Sequence, residues 1–327
     1  MQPVVTDREL SQADVADAAR FLAGQIVATP MLGSAELDEL AGARLLLKAE
    51  NLQHSGSYKM RGATVAVGRL AAAGQAAGVV CQSTGNHAAA VAQAARRHGL
   101  AAVVVLPADA APGKVARAQA AGARVLRADG DPHEVVRQVH ADTGYPVIDA
   151  YDHPDVVAGQ GTAALELIEA ADAAGTPLDA LVVPVGGGGG AAGAVLAATG
   201  RGIDVYGVEP YGCDSLARSL AAGRRVSVTP AATLADGLRP ACVGALPFRV
   251  LRDSGIDAVR VGDDAIAHAF RLIVTHLKLV VEPSGAAALA GALRVADPGH
   301  HRTVGVLLTG GNVEADLVGR LMEGSAA

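Results

Sequence analysis

The chain has 327 residues, half of them hydrophobic and 18% charged, which is too long for one small core and too apolar for disorder, so two packed lobes are expected. The net charge is −6 and no basic cluster stands out beyond the isolated pairs Arg96-Arg97 and Arg224-Arg225, which argues against nucleic-acid binding. No apolar run reaches membrane-spanning length, and the segment from Met1 to Asp7 lacks the basic-then-apolar order of an export signal. The three cysteines, Cys81, Cys213 and Cys242, have no metal-like spacing and fit a reducing, cytoplasmic compartment.

In chain order, the apolar spacing of Leu10, Val15, Ala18 and Leu22 predicts a first helix over 8–25, followed by an extended segment at Thr29-Pro30-Met31-Leu32. The run from Ala43 to Ala49 reads as a strand leading into Ser55-Gly56-Ser57-Tyr58-Lys59-Met60-Arg61-Gly62, and apolar helix material follows. From about residue 76 the text alternates strand and helix. Gly78 to Gln82, Ala102 to Pro107 and Arg124 to Leu126 are strands; Ala88 to Ala95 and Lys114 to Ala121 are helices. Near-continuous Val and Leu in the strands predicts parallel sheets covered on both faces.

Tyr151-Asp152-His153-Pro154 is a turn cluster, and Gly161 to Ala173 reads as a helix. The strand Leu181 to Val185 runs into five glycines, Gly186, Gly187, Gly188, Gly189 and Gly190, and helical text resumes at Ala191. Further strands are Val205 to Val208 and Val304 to Leu308. The expected organisation is a discontinuous larger lobe (1–76 and 153–327) and a smaller α/β lobe (77–152), with no regulatory domain after them.

Residues alone leave Lys59 with two readings. It is either a surface lysine on the first turn of a helix or a desolvated amine with nucleophilic character. The glycine run has physics of its own, because successive amides at a strand-to-helix turn can converge on an anion. No Gly-Lys-Ser/Thr ends it, so it is not the nucleotide P-loop.

Five stretches decide between the readings: Gly56 to Ala63, Ser83-Thr84-Gly85-Asn86-His87, Gly186 to Gly190, Glu282-Pro283-Ser284-Gly285, and Thr309-Gly310-Gly311-Asn312. In this order, spanning nearly the whole chain, they resemble the fold-type II pyridoxal-phosphate enzymes of the threonine/serine dehydratase and serine racemase family. The resemblance implies a tryptophan synthase beta-like α/β fold, with two lobes each holding a largely parallel sheet flanked by helices. Lys59 matches the Schiff-base lysine, with Tyr58 beside it. Gly186 to Gly190 match the phosphate loop, Asn86 the partner of the ring hydroxyl, and Thr309 the partner of the ring nitrogen. Ser83, Thr84, Gly85, Asn86 and His87 match the segment that receives the substrate carboxylate, and Thr84 matches the position of the hydroxyl acid/base of the racemase-like members. Glu209 matches one ligand of a divalent or monovalent cation; the second carboxylate of that pattern falls on Ser215. Either Ser83 or Thr84 could cap the helix after it, Asp214 could cap the next one, and Glu282-Pro283-Ser284-Gly285 carries no assigned chemistry beyond a cap by Ser284.

The activity implied is β-elimination from L-threonine or L-serine, giving a 2-oxo acid and ammonia. Serine racemisation, elimination from threo-3-hydroxyaspartate and a catalytically silent cofactor-binding regulator are the alternatives. A small β-hydroxy amino acid is the expected partner, in a homodimer with no role for nucleic acid or membrane.

Overall fold

The computed structural model describes residues 9–83, 85–297 and 299–324. The first part of the chain holds α1 (Gln12–Leu22), β1 (Met31–Leu32), α2 (Ala35–Ala41), β2 (Arg44–Ala49) and α3 (Lys59–Ala72). The smaller sheet and its helices follow: β3 (Gly78–Gln82), α4 (Asn86–Arg97), β4 (Ala101–Pro107), α5 (Pro112–Ala120), β5 (Arg124–Ala128) and α6 (Pro132–Thr143). The chain returns through α7 (Pro154–Ala173), β6 (Ala180–Pro184), α8 (Gly189–Ala198), β7 (Asp204–Pro210), α9 (Ser215–Ala222), α10 (Ala245–Arg252), β8 (Asp257–Val261), α11 (Asp263–Leu272), α12 (Pro283–Val295), β9 (Thr303–Leu308) and α13 (Ala315–Glu323).

Among the described residues two sheets form, of six strands in the order β1-β2-β9-β6-β7-β8 and of three in the order β3-β4-β5. Every pairing is parallel except β1 with β2. The two-residue period sends Leu181 and Val183 of β6 to one core and Ala180 and Val182 to the other, so this strand is apolar throughout. The edge strands β5 and β8 are more exposed and carry arginines, which discourages edge-to-edge pairing. Among the described residues no helix is long and apolar enough to cross a membrane.

Several sequence boundaries shift. The helix expected from Gly161 starts at Pro154, because His153 caps it (Nδ1 accepts from the Asp155 amide, 3.2 Å) and proline suits its first turn. The helix after the Ser83 motif has Gly85, not Ser83, at its N-cap. Strand β8 and helices α2, α6, α10, α11 and α13 have no counterpart in the sequence reading.

Glycine sets the spacing of α3, α7 and α8. A Cβ on Gly62 would lie 2.7 Å from the Val156 carbonyl oxygen, one on Gly159 2.7 Å from the Gly62 Cα, and one on Gly161 2.6 Å from the Gly193 carbonyl oxygen. Backbones can approach this closely only without side chains. The chain's shortage of aromatics thus has a structural counterpart: small residues let helices touch, and α7 becomes a thin spacer between the N-termini of α3 and α8.

A buried ion network locks the same helices. All five N–H donors of fully buried Arg61 are used: Nε and Nη2 reach Glu50 (both 2.8 Å), Nη2 and Nη1 reach Glu166 (2.8 and 2.6 Å), and Nη1 also reaches Thr162 Oγ1 (3.0 Å). Lys48 adds bonds to Glu166 (2.7 Å) and the Thr29 carbonyl (2.6 Å), while the Thr29 hydroxyl donates to Glu50. Removing one member strands buried charge. Arg61→Ala is therefore expected to lower unfolding free energy by about 3–5 kcal/mol in denaturant titration; a loss below about 1 kcal/mol would contradict the role given to this network. Gly161→Ala should cost about 1–3 kcal/mol by overpacking, read by the same titration; an unchanged midpoint would mean that the helix contact is soft.

Candidate active site

The carboxyl ends of β3, β6 and β9 and the N-termini of α3, α4, α8 and α12 converge on one cleft. Ser55 (φ 64°) and Gly56 (φ 73°) make a left-handed turn before Lys59, and a side chain on Gly56 would strike Asn312. This turn is laid against the end of β9. Ser57 bridges to Gly310, the Tyr58 amide donates to the Thr309 carbonyl (3.0 Å), the Gly311 amide to Gly56 (2.9 Å), and Asn312 Nδ2 to the Ser55 carbonyl (2.8 Å). Two of the sequence motifs, some 250 residues apart, thus form one hydrogen-bonded unit. Thr309 is buried within it.

Lys59 is the first residue of α3 and donates from Nζ to the Ala150 carbonyl (2.8 Å). Burial pulls its pKa down to about 8, against the opposing charges of Asp149 and Glu282. The chain's other lysines are Lys48, Lys114 and Lys278. Lys48 is in the buried network, Lys114 pairs with Asp236 (3.2 Å), and Lys278 donates to a neighbouring carbonyl.

Asn86 is held from both sides: Nδ2 donates to both Glu282 oxygens (2.8 and 3.1 Å), and Oδ1 accepts from Asn312 Nδ2 (2.7 Å). Glu282, to which the sequence motif assigns no chemistry, is a central member of the site. It sits at the N-cap of α12, its amide donates to the Gly310 carbonyl (2.9 Å), and burial pushes its carboxyl up to about 7. A carboxylate just before proline in apolar text was the available signal. Ser284 is not a cap; its Oγ accepts from the Gly237 amide (3.0 Å). His87 is buried with Nε2 on the Ile148 carbonyl (2.9 Å), so Nε2 carries the hydrogen; burial and then the Lys59 charge pull its pKa to about 4, keeping the ring neutral. Ser83 Oγ accepts from the Gly85 amide (3.2 Å). Thr84 lies outside the described residues.

The five glycines form a cradle. Gly188 is left-handed (φ 85°) and N-caps α8. A Cβ on Gly187 would sit 2.1 Å from the Tyr151 ring, and one on Gly190 2.6 Å from the Tyr58 hydroxyl. Gly186 packs on the Gly237 carbonyl and Pro240. The amides of Gly187, Gly188 and Gly189 are buried, with no hydrogen-bond acceptor among the described residues, and the first turn of α8 carries no acidic side chain. Orphaned donors at a helix N-terminus suit a phosphate dianion, so the residues present fit pyridoxal phosphate.

Glu209 stands apart from the cleft. Its oxygens accept from the Leu216 (2.8 Å) and Ala217 (2.9 Å) amides at the start of α9, and burial lifts its pKa to about 7. Asp214, the cap expected there, pairs instead with Arg218 (3.0 Å) and Arg260 (3.4 Å).

Comparison with known proteins gives a consistent picture. A family profile described as "Pyridoxal-phosphate dependent enzyme" matches residues 22–310. The chain is 39% identical to an L-threo-3-hydroxyaspartate ammonia-lyase of Pseudomonas sp, over 96% of this chain and 99% of that one. It is 36% identical to the enzyme of the same name from Saccharomyces cerevisiae, over 95% and 96%. The solved threonine deaminase of T.th. superposes with a TM-score of 0.88 at 41% identity, covering 93% of this chain and 99% of that one.

Only the neutral amine attacks an aldehyde, so with Lys59 near pKa 8 the rate at which the apoprotein takes up pyridoxal phosphate should climb through pH 8 and level above it. Glu282→Gln removes a charge that raises the Lys59 pKa and should move that midpoint to lower pH. Stopped-flow absorbance checks both; a midpoint near the ordinary lysine value of about 10.4 would contradict them.

Proposed function

The chain belongs to the pyridoxal-phosphate-dependent enzyme family, and from that premise we propose that it is an ammonia-lyase whose substrate is a threo-3-hydroxyaspartate. The observation that carries this reading is the near full-length similarity to two ammonia-lyases of that substrate at 39% and 36% identity. It replaces L-threonine or L-serine as the first expectation; the likeness to a threonine deaminase keeps those as the second reading.

In this proposal Lys59 would be the covalent anchor, the amides of Gly187 to Gly189 would hold the phosphate, Asn86 would orient the ring hydroxyl, and Thr309 would donate to the ring nitrogen. The bound cofactor supplies an electron sink for negative charge at the substrate α-carbon. Lys59 Nζ removes the α-proton, for which a pKa near 8 is suited close to neutrality. The C–O bond at the β-carbon breaks, the β-hydroxyl is lost with the equivalent of the α-proton as water, and the released enamine takes up water to give a 2-oxo dicarboxylic acid and ammonia. A hydroxyl at Thr309 is too weak an acid to protonate a pyridine, so it would leave the ring nitrogen of a bound cofactor neutral.

A second substrate carboxylate calls for a cation. Helix α5 carries two across the cleft, Lys114 paired with Asp236 (3.2 Å) and Arg117 paired with Glu314 (3.0 Å). Arg117 is close enough to act on the charge of Glu282, and Asp236 directly precedes the glycine that packs on Gly186. Exchange of these partners for the substrate's distal carboxylate gives α5 a place in specificity.

The test is a 2-oxo acid assay with threo-3-hydroxyaspartate, L-serine and L-threonine. We expect the dicarboxylic substrate to have the highest kcat/KM, and Lys114→Met or Arg117→Met to raise its KM about tenfold or more while changing serine turnover little. Equal losses on both substrates would remove α5 from substrate selection; a preference for threonine would overturn the substrate assignment.

A further inference from the structure

At the opposite end of β7 from Glu209, about 16 Å away along the strand, Asp204 and the turn before β9 bring three metal-binding side chains together. The ligand atoms of Asp204, His300 and His301 all lie within 4.8 Å of one another. His301 Nε2 is 3.1 Å and His300 Nε2 3.5 Å from the same oxygen, Asp204 Oδ2. A tetrahedral ion with ligand bonds of about 2.0–2.1 Å spaces its ligands about 3.3–3.4 Å apart, and the two distances to Asp204 Oδ2 bracket that edge.

The surroundings orient the ligands. His301 is buried, and its Nδ1 faces the Val295 carbonyl at 3.0 Å. A carbonyl only accepts, so Nδ1 carries the hydrogen and Nε2 is left facing Asp204 Oδ2. This is the second-sphere arrangement that fixes metal-bound histidines. Two acceptors at 3.1 Å require a cation between them, either a proton or a metal ion. The Tyr206 ring stands edge-on to His301 (5.5 Å, 80°) with its hydroxyl 3.4 Å from Nε2. The backbone is held too. The Asp204 amide bonds the Asp179 carbonyl (3.0 Å), and Asp179 Oδ2 accepts from the Arg302 and Thr303 amides (2.9 Å each). His300 and Asp204 are exposed, which leaves the remaining coordination position to water.

We propose that Asp204, His300 and His301 form a binding site for a borderline divalent ion of the zinc type, remote from the active cleft. Two imidazoles and one carboxylate select zinc, nickel or copper over magnesium and calcium. Its role is structural, since the ion would tie the start of β7 to the turn leading into β9, the strand that Thr309 follows.

The experiment uses untagged holoenzyme freed of metal by chelator and titrated with zinc chloride, followed by calorimetry and thermal unfolding. The expected result is one zinc per chain and a Tm rise of roughly 5 °C at a hundredfold excess over Kd, with no response to magnesium. His300→Ala and Asp204→Asn, both at exposed positions, should weaken zinc binding at least tenfold while leaving elimination activity unchanged; Asp204→Asn, which also breaks the contact with His301, should lower the metal-free Tm, whereas His300→Ala should not. Absence of saturable zinc binding overturns the proposal, as does binding that both substitutions leave intact.

Discussion

The cleft depends on how closely three helices can approach. Lys59 starts α3 and the glycine cradle starts α8, and α7 lies between them with Gly159 and Gly161 at the two contacts. The distance from the amine to the glycine loop is therefore set by how closely these backbones approach at Gly159 and Gly161. Arg61, two residues after the lysine, fixes rotation and height by spending all five donors on Glu50, Glu166 and Thr162. A buried guanidinium is weak evidence for stability as such, because desolvation offsets much of the attraction. Its planar fork does give a single geometry, which a site built on one amine needs.

Within that frame the electrostatics follow from burial. Lys59 lies in a desolvated cleft and is drawn toward the neutral amine, while Glu282 in the same cleft is drawn toward the neutral acid. The two shifts are opposite in direction and common in cause. Each group also opposes the other's shift through its charge. Asn86 passes this arrangement on, bonded to Glu282 on one side and Asn312 on the other, so its amide has one orientation.

Much of this was legible in the sequence where local chemistry is decisive. Near-continuous Val and Leu pointed to parallel strands, and five glycines after a buried strand pointed to an anion cradle, because those properties reside in the segment itself. What was not legible depends on distant partners. Arg61 meets Glu166 across 105 residues, and Asn86 meets Glu282 across 196. Glu282 was passed over because its proline-led context reads as a helix start, which it is; the charge buried there becomes visible only when Gly310 and Asn86 close around it. Asp214 looked like the cap of α9, yet Glu209 from the preceding strand supplies both acceptors. The early start of α7 was a readable signal, since His153-Pro154 has the form of a cap followed by a first-turn proline.

The central claim is that Lys59, of the four lysines in the chain, is the covalent anchor on which the whole cleft is arranged. Borohydride reduction of the holoenzyme followed by peptide mapping tests it most directly. The label is expected on the peptide containing Lys59 and on no other; a pyridoxyl group on Lys48, Lys114 or Lys278 would contradict the site as described.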